Sequence, residues 1–390
     1  MTALLFAGGG TGGHVFPMIA VADAVRALRP DVELVFAGTE RGLEVKLVPA
    51  RGFALTTLRI APLRGGGVRG AARGTYLAAR AVAEARQLVR RVSPAAVLSI
   101  GGYAAGPVAL AAWSLGVPVA LVEPNAAIGI ANRLAAPFVR RAYVAFPEAR
   151  KHFRRGAALL TGVPLRGGFA SSDHHPGRVL SVLVLGGSQG AESLNRTVPE
   201  ALSRVDVNVV HQCGAGRDAA VRALYAELGL GARARVEAFI DDMPAALSKA
   251  DVVIGRAGAS AVAEICAVGR ASVLIPYPFA GDHQRHNAES LERAGAAVCI
   301  RTKDATRDRL TAVLRRMDRD RAALAAMAAA ARALGRPEAA TVIAEDLLAL
   351  AGIAREGSRS PPSAPSGDSG RGGGGRTARA GSDALSGGLR

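Results

Sequence analysis

Apolar residues along this chain come in short uninterrupted runs, several of them closed by glycines and followed by helical spacing. The first run, Ala3-Leu4-Leu5-Phe6-Ala7, leads into Gly8-Gly9-Gly10-Thr11-Gly12-Gly13-His14. Beyond it Pro17 suits a first helical turn, and Ile19, Val21, Ala22, Val25 and Leu28 follow, which predicts a helix beginning near Pro17. Further runs at 34–37, 55–58, 97–100, 117–122 and 142–145 alternate with helical stretches, notably 74–92. Strands alternating with helices predict a parallel, doubly wound sheet.

The opening pattern then recurs. Ser181-Val182-Leu183-Val184-Leu185 precedes the turn Gly186-Gly187-Ser188-Gln189-Gly190 and a helical stretch at 193–202, with later runs at 207–212, 252–255 and 272–275. Two α/β domains are expected, at 1–160 and 179–351, joined by a connection at 161–178. A chain of 390 residues suits that number. From Gly352 the composition turns to Gly, Ser, Pro, Ala and Arg, so 352–390 is expected to be a disordered tail.

Composition removes several classes. Cys213, Cys266 and Cys299 have no CxxC spacing, which argues against a disulfide framework and a zinc site and for a reducing compartment. Residues 1–22 imitate a secretory signal but lack a basic start, and the glycine run interrupts the apolar core. The uncharged stretch 92–122 has the length of a membrane span, yet Gly101, Gly102, Gly106, Pro107, Gly116 and Pro118 divide it. A soluble cytoplasmic protein is expected.

The net charge of +17 is uneven, with +12 on residues 1–155. Either compositional bias or a polyanionic partner accounts for this, and no nucleic-acid motif accompanies it. Residues 59–91 carry eight Arg against Glu84 alone, and Tyr76, Leu77 and Arg80 share a helical face. Such a face suits an anionic bilayer or an ordinary solvated helix.

Glycine turns before helices bring backbone N–H groups close to an anion. A second one, Gly101-Gly102-Tyr103-Ala104-Ala105-Gly106-Pro107, belongs on the same sheet edge as the first. Gly8, Gly10 and Gly13 match a dinucleotide fingerprint, but Glu33 begins its strand and Glu40 lies beyond the place for the ribose acid. His14 stands where a Walker A loop needs Lys. Gly186-x-Ser188-x-Gly190 matches a nucleophile elbow, with Asp251 or Asp282 and His283 or His286 as triad partners, but leaves the N-terminal turns without a role. The densest polar cluster spans 255–287. Glu264 suits ribose hydroxyls, and Gln284 and Asn287 suit sugar hydroxyls, so a nucleotide-sugar site is the better account.

The ordered set Gly-Gly-Thr-Gly-Gly-His-Val-Phe-Pro at 9–17, Gly-Gly-Ser-Gln-Gly at 186–190, Phe-Ile-Asp-Asp-Met at 239–243 and Asp-His-Gln at 282–284 resembles a known family. It is the MurG family of glycosyltransferase family 28, the peptidoglycan N-acetylglucosaminyltransferases that convert lipid I to lipid II, and the resemblance covers about residues 1–350. It implies a GT-B fold, with two Rossmann-like domains facing a cleft. It also implies UDP-N-acetylglucosamine as donor and undecaprenyl-diphospho-N-acetylmuramoyl-pentapeptide (lipid I) as acceptor. The enzyme would sit peripherally on the cytoplasmic face of the inner membrane, alongside other cell-wall and division proteins.

By the same resemblance Thr11, Gly12, Gly13, Asn125, Arg166, Ser188, Ile240, Ala259, Ser260, Ala261, Val262, Ala263, Glu264, Gln284 and Asn287 would bind donor. Gly10, Gly101, Gly102, Tyr103 and Gly106 would meet the acceptor diphosphate, and Arg73, Tyr76, Arg80, Trp113 and Arg140 would face the membrane. Pro124 departs from the family, which usually has Gln there. Transfer with inversion needs one base and a stabilised diphosphate leaving group. His14 is the candidate base, with a role in shaping its loop as the alternative. A helix N-terminus, glycine amides and Arg166 neutralise the leaving group, so no divalent metal or other cofactor is demanded. Transfer to another lipid or aglycone, and nucleotide-sugar binding without catalysis, are the alternative functions.

Overall fold

The computed structural model describes residues 2–60, 67–172, 177–187, 190–278 and 282–354, with backbone alone for 67–76. The first sheet contains β1 (Ala3–Gly8), β2 (Glu33–Thr39), β3 (Ala54–Leu58), β4 (Ala96–Gly101), β5 (Val119–Glu123), β6 (Arg141–Val144) and β7 (Ala158–Leu160), in spatial order 3-2-1-4-5-6-7. Its helices are α1 (Gly12–Leu28), α2 (Glu44–Ala50), α3 (Gly67–Val92), α4 (Ala105–Ser114) and α5 (Ile130–Ala135). The second sheet contains β8 (Leu180–Leu185), β9 (Val207–Gln212), β10 (Ala234–Glu237), β11 (Val252–Gly255), β12 (Ala271–Leu274) and β13 (Ala297–Cys299), in order 10-9-8-11-12-13. Around it lie α6 (Glu192–Leu202), α7 (Asp218–Glu227), α8 (Met243–Ser248), α9 (Ala259–Val268), α10 (His283–Arg293), α11 (Arg307–Arg319) and α12 (Arg321–Leu334), and α13 (Ala339–Leu350) ends the described chain.

All strand pairs are parallel. This is the two-sheet α/β architecture expected from the repeated pattern. Successive side chains of a strand point to opposite faces, and helices cover both. Leu5 and Ala7 of β1 pack with Val97, Val108 and Ala112, whereas Leu4 and Phe6 pack with Met18, Val21 and Val25. Each sheet reverses its winding beside its first strand, between β1 and β4 and between β8 and β11, which opens a crevice at the carboxyl ends of those strands.

Helix α13 crosses back to the first sheet, where Ile343, Ala344, Leu347 and Leu348 join Leu4 and Phe6 in one core. Asp346 fixes it by accepting hydrogen bonds from Tyr143 Oη at 2.9 Å and Arg141 Nε at 3.0 Å. The chain therefore passes between the sheets twice, and at Gly162 a Cβ would lie 2.6 Å from that of Arg336.

Two helices begin earlier than expected. Helix α1 starts at Gly12, after an extended Thr11, and contains Pro17 inside it. Pro17 is the sixth residue of the helix, so Gly13 O goes without its helical donor, and the helix nevertheless continues to Leu28. Helix α3 starts at Gly67 instead of near 74. No helix among the described residues is long and apolar enough to cross a membrane.

Candidate active site

Gly8 at the end of β1 lies beside Gly101 at the end of β4. The turns beyond them interlock. Gly10, Gly101 and Gly102 have φ of 92°, 97° and 86°, and a side chain at 102 would strike the Gly9 carbonyl. Beneath the first turn lies Glu44, fully buried at the start of α2. Its Oε2 accepts the Gly10 N–H at 2.7 Å, and its Oε1 accepts the N–H and hydroxyl of Thr39, each at 2.8 Å. A Cβ at Gly9, Gly38 or Gly42 would collide with this carboxylate. Burial pushes the Glu44 carboxyl up, but hydrogen bonds from Thr39 and Gly10 prevail and hold it below the usual carboxylate range.

The Gly10 N–H is thus committed to Glu44 and does not face an acceptor diphosphate as expected. A glycine turn offers its amides to whichever anion reaches them, and here a carboxylate of the chain does. Glu44 escaped the sequence reading because it lies 34 residues from Gly10. The glycines at 38 and 42, just ahead of it, were the available signal.

His14 is the third residue of α1 and lies on a helical turn, not in the loop. Its Nδ1 is 3.5 Å from Thr11 Oγ1, and its Nε2 edge packs against Gly101, where a Cβ would lie 3.2 Å away. Burial lowers its pKa below the ordinary imidazole value; the Gly9 backbone, Glu123 and Glu44 oppose the shift. The head of α1 acts in the same sense as burial, since a helix N-terminus disfavours a cation. The ring is therefore neutral at neutral pH, as a base must be.

Glu123 closes β5, and both its oxygens are filled. Asn125 donates to Oε1 from its backbone at 3.0 Å and its side chain at 3.3 Å, and Gly129 N–H and Asn132 Nδ2 donate to Oε2 at 3.0 and 2.9 Å. Pro124 is buried inside this ring, which holds the 123–132 segment without a side-chain amide at 124. Asn287 of α10 then ties the two halves together. Its Oδ1 accepts the Ala126 N–H at 2.8 Å, while its Nδ2 donates to Asn125 Oδ1 and Ala257 O, both at 3.1 Å. Asn287 is fully buried with both amide hydrogens used, so it clamps the two halves and does not present itself to a sugar as expected. His283 adds a bond from Nδ1 to Ala127 O at 3.1 Å.

Across the crevice, α9 begins at an extended Gly258 and approaches α1. The segment Ala259–Glu264 forms its first turns. Ser260 Oγ is buried without a hydrogen-bond partner among the described residues. No described residue donates to Glu264 either; burial pushes its carboxyl up to about 7, against the pull of Arg166. A buried hydroxyl and a half-buried carboxylate unmatched by protein suit ligand hydroxyls. Arg166 is half-buried and lies 5.8 Å over the Phe169 ring. Ile240 is buried beside Met243 and Leu247. Gln284 Oε1 accepts the Tyr277 N–H at 3.0 Å, and no described residue takes its amide hydrogens.

Ser188 lies outside the described residues, as does Gln189. The hydrolase partners are nevertheless engaged elsewhere: Asp282 accepts from Arg285 Nη2 at 3.0 Å, and His286 Nδ1 lies 3.8 Å from Glu289. Asp251 accepts the Ser181 N–H at 2.6 Å at the amino ends of β8 and β11, the edge opposite the glycine turns. His283 is turned toward Ala127.

Gly10, Thr11, His14, Gly102, Tyr103 and Gly106 share one cavity of about 710 Å³. Trp113, whose ring lies tilted 40° to that of Phe138 at 4.5 Å, shares a second of about 520 Å³ with Arg140, Arg154 and Arg155. Arg80 is elsewhere engaged, 3.0 Å from Glu84, and the side chains of Arg73 and Tyr76 lie outside the described residues. Among the described residues no group of three or more His, Cys, Asp or Glu is arranged to hold a metal, and the three cysteines are free.

Comparison with known proteins places this geometry in context. The glycosyltransferase family 28 N-terminal domain matches residues 4–144, and its C-terminal domain matches residues 181–343. The chain is 54% identical over 390 residues to a UDP-N-acetylglucosamine--N-acetylmuramyl-(pentapeptide) pyrophosphoryl-undecaprenol N-acetylglucosamine transferase of Sorangium cellulosum, covering 98% of this chain and 94% of that one. A protein of the same name from Acidithiobacillus ferrooxidans is 42% identical, covering 90% and 98%. Among solved structures, Acinetobacter baumannii MurG superposes with a TM-score of 0.76 at 31% identity, covering 90% of this chain and 100% of that one.

Proposed function

Because the chain belongs to glycosyltransferase family 28, with the MurG enzymes, we infer that it transfers N-acetylglucosamine from UDP-N-acetylglucosamine to the muramoyl 4-hydroxyl of lipid I, giving lipid II and UDP. The observation that carries the inference is the approach of α9, with a Glu264 that no described residue hydrogen-bonds, to α1, whose first turn holds His14 against the interlocked glycine turns.

The donor binds on the second sheet. Glu264 accepts hydrogen bonds from the ribose hydroxyls, Ile240 lies against the uracil, and Gln284 offers its amide hydrogens to the sugar. The acceptor lies against the glycine turns of the first sheet. Its 4-hydroxyl oxygen attacks the anomeric carbon from the face opposite the diphosphate. The carbon–oxygen bond to UDP breaks, and the proton passes to the neutral His14 ring. Arg166 and a helix N-terminus offset the charge that develops on the departing diphosphate. These groups supply the stabilisation that a divalent ion provides in other transferases, so the reaction as proposed is independent of metal.

The acceptor brings the enzyme to the inner face of the cytoplasmic membrane as a peripheral protein. Support comes from the basic first half and from the cavity where Trp113 meets Arg140, Arg154 and Arg155. Association with other cell-wall and division proteins is part of the same proposal.

Continuous measurement of UDP release tests the reading. Release is expected with UDP-N-acetylglucosamine only once lipid I analogue is added, at least about tenfold slower with UDP-N-acetylgalactosamine, and unchanged in EDTA. Release without acceptor at the same rate would contradict transfer, and loss in EDTA would contradict the metal-independent mechanism.

A further inference from the structure

The cavity at the glycine turns does not end there. Beyond His14 and Tyr103 it runs between α3, α4 and α5, where Leu77, Ala81, Leu110, Ile130, Leu134 and Phe138 line it. The lining changes from backbone amides and an imidazole at one end to hydrocarbon at the other. Three apolar residues of its wall are exposed, Ile130 at 80%, Leu134 at 69% and Leu110 at 39%. Grouped exposed apolar side chains mark a binding surface, and about 710 Å³ is the size of a ligand pocket.

We propose that this chamber holds the first isoprene units of the acceptor's prenyl chain. The assignment rests on the acceptor inferred above and adds a subsite to it. An amphiphile with an anionic head at the glycine turns finds apolar lining for its chain in the same cavity. Lifting the diphosphate from a membrane surface into the crevice drags the adjoining hydrocarbon out of the bilayer. Exposed to water, that hydrocarbon would oppose binding; the chamber keeps it covered. A flat membrane-contact patch would need exposed Ile130 and Leu134 but not an apolar interior reaching His14.

The test uses two soluble lipid I analogues, with farnesyl or methyl in place of undecaprenyl, below any micelle-forming concentration and without vesicles. The wild-type enzyme is expected to favour the farnesyl acceptor by at least about tenfold in kcat/KM, since covering even a few methylene groups yields that much. Ala78→Phe and Ala131→Phe fill the chamber from half-exposed lining positions, and are expected to erase that preference. Ala79→Phe adds the same ring at an exposed neighbouring position outside the lining and should keep it. Thermal melting of each variant shows that it is folded. A preference that persists in both folded filling variants, or no preference in the wild type, would overturn the subsite. Failure of both analogues to accept sugar from UDP-N-acetylglucosamine would instead strike the transferase reading itself.

Discussion

Replacing His14 with alanine is expected to lower kcat by about a hundred- to ten-thousandfold, the usual contribution of a positioned general base, with UDP-N-acetylglucosamine affinity nearly unchanged. The ring sits on the first-sheet side of the crevice, so its loss removes no donor contact carried by α9. A purely loop-shaping role predicts something different, because Thr11 and Gly101 would then shift and both affinity and kcat would suffer. The pH profile separates the two further. Burial lowers the His14 pKa, so the neutral ring is the prevalent form down to below pH about 6.5, and the acid limb of kcat should fall under that value. Glu44 and Glu123 each oppose the shift. Glu44→Gln retains an acceptor for Gly10 but removes a negative charge, so it should move the limb to still lower pH. An acid limb unmoved by Glu44→Gln and unaffected by His14→Ala would exclude the imidazole as base.

The second large effect concerns Glu264. Its carboxyl, pushed up to about 7, is half protonated near neutrality in the free protein. If ribose hydroxyls donate to the ionised form, as proposed above, binding UDP should release protons and pull the group down. The sign follows directly: affinity for UDP rises as pH is raised through about 7 and weakens on acidification. Glu264→Gln should cost about ten- to a hundredfold in affinity, the worth of hydrogen bonds to a charged group, and flatten the profile. Calorimetry in two buffers of different ionisation enthalpy reads both the affinity and the protons released. The same carboxyl has a consequence for the empty protein, whose stability should decline between the unfolded carboxylate range and pH about 7, because the folded state binds the proton more tightly.

How far the chain could be read in advance depends on how local each feature is. Strand, glycine turn and helix recur twice because each β–turn–α unit is written in consecutive residues, so two parallel sheets were foreseeable. Element starts were less so. Pro17 looked like an opening residue, yet Gly12 and Gly13 enter the helix ahead of it, with the Thr11 carbonyl accepting from His14 and Val15. Residues whose work is tertiary left little trace. Arg270 resembles any surface arginine in sequence, but it is fully buried and donates to Leu247 O at 3.0 Å, Ser248 O at 2.7 Å and Ser172 Oγ at 2.6 Å, pinning the segment that joins the two halves. Glu44 and Asn287 belong to the same class. An amide in a motif reads naturally as a sugar ligand, whereas Asn287 meets Asn125 and Ala126 from the other half, 162 and 161 residues away. Glu264 left a local trace, since its place one turn into the helix after a strand could be read from consecutive residues.

The central claim is that the donor on α9 and the acceptor at the His14 turns meet in one crevice to make a glycosidic bond. Transfer of radiolabelled N-acetylglucosamine from its UDP donor to lipid I tests this most directly, with the product separated and its mass determined. The account predicts label in a species heavier than lipid I by one N-acetylglucosamine residue, formed by the wild-type protein and nearly abolished by His14→Ala although that variant still binds UDP-N-acetylglucosamine. Label that remains on UDP, or that appears on lipid I at equal rate with His14→Ala, would contradict it.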